Sequence, residues 1–430
     1  MLIFDKSFLQ SLSVDEAVIL DQMFSCVVTP LFFVETMADL TKETARGRTA
    51  EQVVGGLAER TPVAHSYMNT YHQEVILDDL LGRRHEYDHR PAVAGGIPVK
   101  VEGKAGIVFR KSPERDAFDR WQAGHFLDVE RLFARQWRAQ IESIDLPAIA
   151  KAYKSMLRKE DRPKSHQAAR DLAGRLVDAA GQNYRSLLMA HRLLEMPPVS
   201  LAATVRNWKE VGSPPLREYA SFAAHCLEVD LYFELCLSNG LISDQRPSNQ
   251  VDISYLYYLP FADVFVSGDK LHRASAPLFM DERQRFAWGP DLKADLAELN
   301  AYFSALPEEE KKKGLFTLAS KPPADHRGLV ATLWDARIPG WRLPKAPKPK
   351  MAPEETSRII ARSQRLTAAA EKGGHRLAPG EDVEHMIIER HISKQRGSWR
   401  MFSAEVETSS DAERARELSY RQRKRPNDLE

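Results

Sequence analysis

The chain has 430 residues, of which 43% are hydrophobic and 28% are charged. These proportions are typical of a folded globular protein and exclude a wholly disordered chain, a collagen-like repeat and a disulfide scaffold. The 61 basic and 60 acidic residues give a net charge of +1, so the molecule as a whole has no general attraction for nucleic acid or membranes. The length favours two domains, or one domain with a large insertion.

The cysteines and the apolar segments favour a cytoplasmic protein. The three cysteines lack CxxC spacing and are odd in number, so we expect neither a zinc ribbon nor a disulfide framework. The amino-terminal sequence MLIFDKSFL has an acidic residue at position five, which does not fit a signal peptide. No uncharged apolar run reaches the ~18 residues of a membrane span. We therefore expect a cytoplasmic location and no membrane partner.

Short apolar runs in the first 45 residues predict strands. One run, at 2–4, ends at Asp5, and a second lies at 27–29. Between them, a capping-box pattern beginning at Ser13 predicts a helix. A third apolar run, FFV, leads into Glu35.

The long middle segment is predicted to be mainly helical and locally basic. A glycine-rich part at 89–109 is predicted as a loop or hairpin. Residues 131–192 contain 13 Lys or Arg against 6 Asp or Glu. The helices here are predicted to expose a basic face and bury an apolar one, with aromatic residues that either stack on bases or belong to the core. On the first helix the apolar face consists of Phe126, Val129, Phe133 and Trp137. The basic residues expected to contact nucleic-acid phosphates are Arg131, Arg135, Arg138, Lys151, Lys154 and Arg158.

After a predicted helix at 216–237, the dense segment from Arg246 to His272 follows. It predicts a loop, a short helix from Asp252, a strand at 264–266 and a sharp turn. Farther along, we predict helices at 292–306, 355–371 and 382–394, and a disordered polar tail.

Four acidic residues accompany these apolar runs. Asp5 and Asp269 follow strands, Glu35 follows FFV, and Asp252 begins a helix. Because the carboxyl ends of parallel strands meet at one crevice, we expect the four side chains to converge. Clustered carboxylates repel one another and need cations. Oxygen ligands favour Mg²⁺ or Mn²⁺, and two such ions would activate water for phosphodiester hydrolysis.

The acids lie in three segments, MLIFDKSFL, PLFFVET and VDISYLYYLPFADVFVSGDKLH. In order and approximate spacing these resemble the signature segments of PIN-domain nucleases. The resemblance implies an α/β fold with a PIN-like parallel sheet, and a metal-dependent endonuclease that acts on RNA before DNA. It assigns the Mg²⁺ or Mn²⁺ ligands to Asp5, Glu35, Asp252 and Asp269, and supporting roles to Ser7 and Ser267. It further suggests a toxin or a defence effector.

The resemblance covers residues 1–40 and 215–275 and departs from the family in the long segment between the second and third acids. A large helical insertion explains this departure. The predicted division is a PIN-like core in two parts, a helical insertion, a helical extension, and a linker with short helices and a disordered tail. The two parts of the core are residues 1–45 and 215–280, and the insertion between them is 46–214. The extension is 281–345, and the linker with short helices and tail is 346–430.

Several neighbours of the acids leave alternatives open. Asp39, one helical turn beyond Glu35, competes for the position of second acid. Lys6, Lys270 and His272 flank the acids and are candidates for phosphate binding. All four acids have an ordinary structural interpretation as helix caps, first-turn residues and turn residues.

Three further acids are alternative candidates for metal ligands. Asp263 is expected at a strand edge rather than in the site. Asp230 and Glu234 lie one helical turn apart and either join the cluster or, as we expect, face solvent.

A competing motif is HExxH at His85 to His89, which on a helix could bind zinc for a hydrolase. Charged neighbours and Pro91 argue against a buried zinc helix. Two RxxxxH matches, Arg84 with His89 and Arg120 with His125, resemble the pattern of HEPN ribonucleases but are expected by chance.

The expected partner is nucleic acid, RNA before DNA. A regulatory or inhibitory protein partner and a homo-oligomer stay open, as does a non-catalytic helical interaction protein. For the nuclease, a single Asp→Asn change among the acids is expected to abolish activity with little loss of fold.

Overall fold

The computed structural model describes most of the chain. The described residues are 1–83, 89–92, 97–101, 104–108, 113–122, 125–178, 183–343, 353–371, 392–403 and 405. Within them, no helix has the length and apolar character needed to cross a membrane.

A five-stranded parallel sheet lies at the centre of the molecule. The strands of the described residues are β1 (Leu2–Phe4), β2 (Cys26–Val28), β3 (Ser66–Met68), β4 (Ile97–Val101), β5 (Lys104–Val108), β6 (Val264–Ser267), β7 (Arg285–Trp288), β8 (Gln395–Arg396) and β9 (Trp399–Arg400). The central sheet has the order β3-β2-β1-β6-β7, and every neighbouring pair in it is parallel. The pairs β4–β5 and β8–β9 are separate antiparallel hairpins. An α/β class with a parallel sheet is therefore confirmed.

Helices cover both faces of this sheet. They are α1 (Lys6–Ser11), α2 (Val14–Met23), α3 (Pro30–Thr44), α4 (Ala50–Arg60), α5 (His72–Leu80), α6 (Pro113–Gln122), α7 (Asp128–Glu142), α8 (Leu146–Met156), α9 (His166–Val177), α10 (Asn183–Leu193), α11 (Leu201–Glu210), α12 (Leu216–Tyr219), α13 (Ser221–Ser238), α14 (Asn249–Ser254), α15 (Lys270–Ser275), α16 (Gly289–Ser304), α17 (Glu308–Lys311), α18 (Leu315–Leu318), α19 (Leu329–Arg337) and α20 (Pro353–Glu371). Short 3-10 helices lie at Lys159–Asp161, Pro198–Ser200, Tyr255–Phe261 and Ala276–Phe279.

Alternation along the strands divides the core in two. Ile3 of β1 and Phe265 of β6 point to one face and join a hydrophobic cluster with α13. Leu2 and Phe4 of β1 point to the other face, where α2 and α16 form a second cluster. Successive side chains of a strand point to opposite faces, and burial on both sides explains why these strands are apolar throughout.

The structure confirms several predicted elements. The strands at 2–4, 27–28 and 264–266 and the hairpin within 89–109 are present. Ser13 accepts a hydrogen bond from the Glu16 N–H, and the Glu16 carboxylate accepts one from the Ser13 N–H, as the capping box requires.

Other predictions need correction. The FFV run before Glu35 lies in the first two turns of α3 and is not a strand. α14 begins at Asn249, so Asp252 lies inside it. The predicted helix at 216–237 is broken at Ala220. Of the predicted helix at 382–394, residues 382–391 lie outside the described residues.

The sheet extends beyond the two segments predicted as its core. β3 lies within 46–214, the predicted helical insertion, and β7 lies within 281–345, the predicted helical extension. The carboxyl-terminal hairpin of β8 and β9 also packs on α2.

The predicted burial of one helix face is wrong for α7. Val129 and Phe133, expected in the core, are 48% and 46% exposed, and the neighbouring Leu132 is exposed as well. Phe126 and Trp137 of the same predicted face are partly buried. On α8, Met156 is exposed at 75%.

Candidate active site

Asp5 and Asp269 follow the two strands at which the order of the sheet reverses. From β1 the chain continues through β2 to β3 on one side, whereas β6 and β7 lie on the other side of β1. Phe4 pairs with Val266, so the next residues of β1 and β6 emerge side by side. In open α/β sheets, ligands bind at the carboxyl ends of strands at such a switch point.

Ser267 connects these two acids. Its hydroxyl donates to Asp5 Oδ2 over 2.7 Å, and its Oγ accepts a hydrogen bond of 2.9 Å from the backbone N–H of Asp269. Ser7 donates to the same Asp5 oxygen over 2.8 Å. Both serines that the resemblance assigned to supporting roles therefore contact Asp5.

Asp5 is buried and tied to the protein through both oxygens. Its Oδ1 accepts from the Phe8 N–H, which caps α1. Burial alone would raise the pKa of Asp5, but the His272 ring, the Ser267 hydroxyl and the Phe8 N–H outweigh it and hold the pKa below its ordinary value. Asp5 is thus a carboxylate that also holds the local structure together.

His272 is the cation at the centre of this network. Its Nδ1 lies 2.8 Å from Ser267 Oγ and 3.4 Å from Asp5 Oδ2, and its Nε2 donates to the Asp252 carbonyl oxygen over 2.6 Å. Burial lowers the pKa of His272, but Asp5 more than compensates and raises it to about 9. The imidazolium is 1% exposed, so His272, a candidate for phosphate binding, lies inside the protein.

Glu35 lies on α3 and faces the same network. The Tyr255 hydroxyl donates to Glu35 Oε2 over 2.8 Å. The pKa of Glu35 is raised to about 7: burial is the main cause, Lys6 opposes it, and Asp252 and Asp5 add to it.

Asp252 behaves in the same way. The pKa of Asp252 is raised to about 6: burial is the main cause, His272 opposes it, and Asp269 and Asp5 add to it. The carboxylates of Asp5, Glu35, Asp252 and Asp269 therefore act on one another electrostatically, and we call them the acid cluster. The cations inside the protein do not fully neutralise it.

The competing Asp39 belongs to a different environment. Its carboxylate pairs with Lys6 Nζ at 2.6 Å and with Lys42 Nζ at 3.1 Å, and Arg138 lies 3.9 Å away. Burial opposes these cations, but they outweigh it and lower the pKa of Asp39. Glu35, not Asp39, shares the environment of the other acids.

The predicted phosphate-binding residues fall into two groups. Lys6 is buried in its pair with Asp39, while Arg131 and Arg138 pair with the carboxylates of Glu51 and Glu142. The rest are exposed: Lys270, Arg135, Lys151, Lys154 and Arg158.

The other candidate ligands lie elsewhere. Asp263 immediately precedes β6, at the opposite end of the sheet, and pairs with the N-terminal amine at 2.6 Å and with Arg337 at 2.8 Å. Asp230 accepts a hydrogen bond from the Tyr257 hydroxyl, and burial raises the pKa of Asp230 to about 7 and that of Glu234 to about 8. A solvated helix face was therefore the wrong prediction for Asp230 and Glu234.

The zinc hypothesis required His85 and His89 on one helix. His85 and Glu86 lie outside the described residues. His89 has a φ of 63°, which is not helical, and its two ring nitrogens lie 3.2 Å from Asp263 Oδ1 and 3.1 Å from Asp281 Oδ2. The first RxxxxH pair includes Arg84, which also lies outside the described residues. In the second pair, Arg120 forms an ion pair with Glu130.

The roles of two residues were missed in the sequence. Tyr255 stands three residues after Asp252, and His272 stands three residues after Asp269. On a helix this spacing places two side chains on one face, so the i, i+3 pairs were a signal that sequence reasoning could have used.

The acid cluster fits a hard divalent cation in its chemistry. It offers partly buried carboxylate oxygens that are incompletely neutralised, the donors that Mg²⁺ and Mn²⁺ prefer. Over the residues that the structure describes, however, no three His, Cys, Asp or Glu side chains stand ready to hold a metal ion. Binding would thus require side chains to turn, because Asp5 is held by serines and Asp269 Oδ1 caps α15.

Comparison of the chain with protein-family models, with curated proteins and with solved structures gave no match.

Proposed function

We propose that the protein is a PIN-like, metal-dependent endonuclease that hydrolyses phosphodiester bonds, in RNA before DNA. The observation that carries this proposal is the meeting of four coupled carboxylates at the switch point of a parallel sheet, two of them with pKa values raised to about 7 and about 6. Perturbed carboxyl groups concentrate at functional sites, since stability alone would favour their removal.

Each residue of the site has a role in this proposal. Asp5, Glu35, Asp252 and Asp269 would hold one or two Mg²⁺ or Mn²⁺ ions, which when bound supply an activated water and stabilise the leaving oxygen. Ser267 and His272 fix the orientation of Asp5, and Tyr255 fixes that of Glu35.

Binding of the substrate strand is assigned to the exposed basic residues. Arg135 on α7 and Lys151 and Lys154 on α8 present positive charge to solvent. Contacts of this type give affinity that is independent of base sequence and weakens with salt. The preference for RNA, and a role as a toxin or defence effector in the cytoplasm, rest on the resemblance to PIN-domain nucleases.

A second candidate function is that of a helical interaction protein, and the surface of α7 favours it. Val129, Leu132 and Phe133 expose large apolar side chains on this helix, and Leu127, directly before it, is exposed as well. Such a patch is a common feature of protein-binding surfaces, including one for a regulatory partner. A protein of this class would keep its partner when the acid cluster is replaced.

The nuclease is tested by cleavage of end-labelled single-stranded RNA and DNA in Mn²⁺, in Mg²⁺ and in EDTA. We expect cleavage of RNA by the wild type in Mn²⁺ and none in EDTA. Asp269→Asn and Glu35→Gln should each lose at least about 100-fold, since loss of a residue that merely supports a metal ligand already costs about 10- to 100-fold. The exposed Glu210 supplies the matched control Glu210→Gln, which should cleave at the wild-type rate. Equal rates in all four proteins would refute the assignment of the acids.

A further inference from the structure

A cavity of about 390 Å³ opens between α3, α7 and α14. Its wall includes Phe33 and Val34 of α3, Trp137 and Gln140 of α7, and Val251 of α14. Tyr71, just before α5, also contributes. We call it the α7 cavity.

Two residues of the cavity wall are sequence neighbours of acids in the acid cluster. Val34 immediately precedes Glu35, and Val251 immediately precedes Asp252. Consecutive Cα atoms are about 3.8 Å apart. The helices α3 and α14 thus each carry one acid and also contribute a residue to the wall of the cavity. A ligand in the cavity and a phosphate at the acids would therefore be neighbours.

The wall of the cavity presents aromatic rings in fixed orientations. The Trp137 ring is tilted 27° from that of Phe133 at 6.1 Å, and it meets Phe33 edge-on at 5.8 Å and 86°. Phe33 stacks in turn on the buried Trp121 at 5.0 Å and 8°. Because these contacts hold the rings in place, little conformational entropy is lost when a flat ligand packs against them.

The wall also has a polar component. Gln140 is exposed and offers both amide donors and a carbonyl acceptor at the edge of the cavity. An aromatic wall with one amide group matches a flat, apolar ligand that has hydrogen-bonding groups around its edge. A nucleobase has this chemistry, and base–aromatic stacking tolerates any base.

We propose that the α7 cavity takes an unpaired base of the substrate strand, beside the phosphate that the acid cluster receives. This inference rests on the proposed nuclease function and specifies its substrate class as single-stranded. A base inside a duplex is stacked and paired, and extruding it costs a few kcal/mol. Paired substrates are therefore selected against at the cavity.

The test uses two variants of Trp137 and a matched control. Trp137→Ala removes the ring, and Trp137→Phe keeps an aromatic face. Tyr302→Ala removes an aromatic side chain that is 46% exposed on α16, away from the cavity lining. Thermal unfolding of each protein shows whether it is folded. The probe is a short fluorescent single-stranded RNA, compared with the same strand carrying abasic sites at its centre, and binding is followed by anisotropy with Ca²⁺ in place of Mn²⁺.

We expect Trp137→Ala to weaken binding of the normal strand about tenfold and to leave binding of the abasic strand unchanged, because a stacked base is worth about 1–3 kcal/mol. Trp137→Phe should lose much less, and Tyr302→Ala should bind as the wild type does. Equal affinity of wild type and Trp137→Ala for the normal strand, or equal weakening for both strands, would overturn the inference. If Trp137→Ala is unfolded, the test compares how tightly wild type and Trp137→Phe bind the normal and the abasic strand. The inference fails if neither protein binds the normal strand more tightly.

The outcomes separate this inference from the nuclease. Mn²⁺-dependent cleavage without any preference for the normal strand would refute the base site and leave the nuclease intact. A Trp137-dependent preference without cleavage would keep the base site and refute the nuclease. Failure to bind either strand would refute both.

Discussion

At the scale of single residues, the same helix holds two acids in opposite states. Glu35 lies among other carboxylates, and burial raises its pKa to about 7, whereas Asp39 is paired with the buried Lys6 and its pKa is lowered. One turn of α3 thus separates a carboxylate whose charge destabilises the fold from one whose charge stabilises it.

Replacement of Glu35 by glutamine should stabilise the protein above neutral pH. When folding raises the pKa of an acid, the protein loses stability as the pH rises from the ordinary pKa, here 4.5, to the raised pKa of about 7. Glutamine removes that loss, and its carbonyl oxygen still accepts a hydrogen bond from Tyr255. In EDTA at pH 8.5 we expect a gain of about 1–3 kcal/mol, shrinking at pH 5. Thermal unfolding at both pH values measures this, and a Glu35→Gln variant less stable than wild type at pH 8.5 would contradict it.

Replacement of Asp39 by asparagine should have the opposite effect. The Lys6 ammonium would stay buried without its closest carboxylate, at a cost of about 1–3 kcal/mol because Asp39 is partly exposed. Cleavage should persist in the folded protein. Denaturant unfolding and the RNA assay check both, and loss of cleavage without loss of stability would place Asp39 in the site instead of Glu35.

The expectation that any Asp→Asn change leaves the fold intact applies poorly to Asp5. Its carboxylate neutralises the buried His272 and caps α1, so an asparagine there would leave an imidazolium without a counter-charge. Asp269 is the better position, since asparagine also caps helices well and can replace it at the start of α15. Asp5 and Asp269 were found in the sequence because each ends an apolar run. Their partners, such as His272 for Asp5, could not be predicted in this way, because the contact joins residues far apart in the sequence.

At the scale of elements, the predictability of each strand follows its burial. β1, β2 and β6 are buried along their whole length, so their sequences are continuous apolar runs. The edge strands β3 and β7 are partly exposed, and each begins with a polar residue, Ser66 in SYM and Arg285 in RFAW. A prediction based on hydrophobic runs therefore does not detect short edge strands.

The β8–β9 hairpin fixes an element far from it in sequence. Arg396 pairs with the buried Asp21 of α2 at 2.8 Å and donates to the carbonyl oxygens of Glu59 and Thr61. Asp21 in turn accepts hydrogen bonds from the backbone N–H groups of residues 63–65, directly before β3. The hairpin thus helps to position the edge strand of the sheet.

Arg396→Met should therefore destabilise the protein by about 3–5 kcal/mol, the cost of leaving one member of a buried ion pair alone. Arg175→Met, at an exposed position of α9, is the control and should change stability by less than about 0.5 kcal/mol. Denaturant unfolding compares the three proteins. Equal stability of both variants would show that the hairpin does not support the core.

At the scale of the whole molecule, distant parts of the chain contribute to the acid cluster. Asp5 and Glu35 come from the amino-terminal part, and Asp252 and Asp269 come after the long segment that the sequence predicted as an insertion. The order of the acids along the chain was enough to propose that they meet. The sequence did not predict that β3 and β7, from outside the predicted core, would complete the sheet, because each contributes only a few partly exposed residues.

The most direct test of the acid cluster as a metal site is equilibrium Mn²⁺ binding to the intact chain, followed by calorimetry or by electron paramagnetic resonance. The account predicts that the wild type binds one or two Mn²⁺ ions, and that Asp269→Asn and Glu35→Gln each weaken binding about 10- to 100-fold while Asp39→Asn does not. Mn²⁺ binding that is absent from the wild type, or equal in all four proteins, would contradict the central claim.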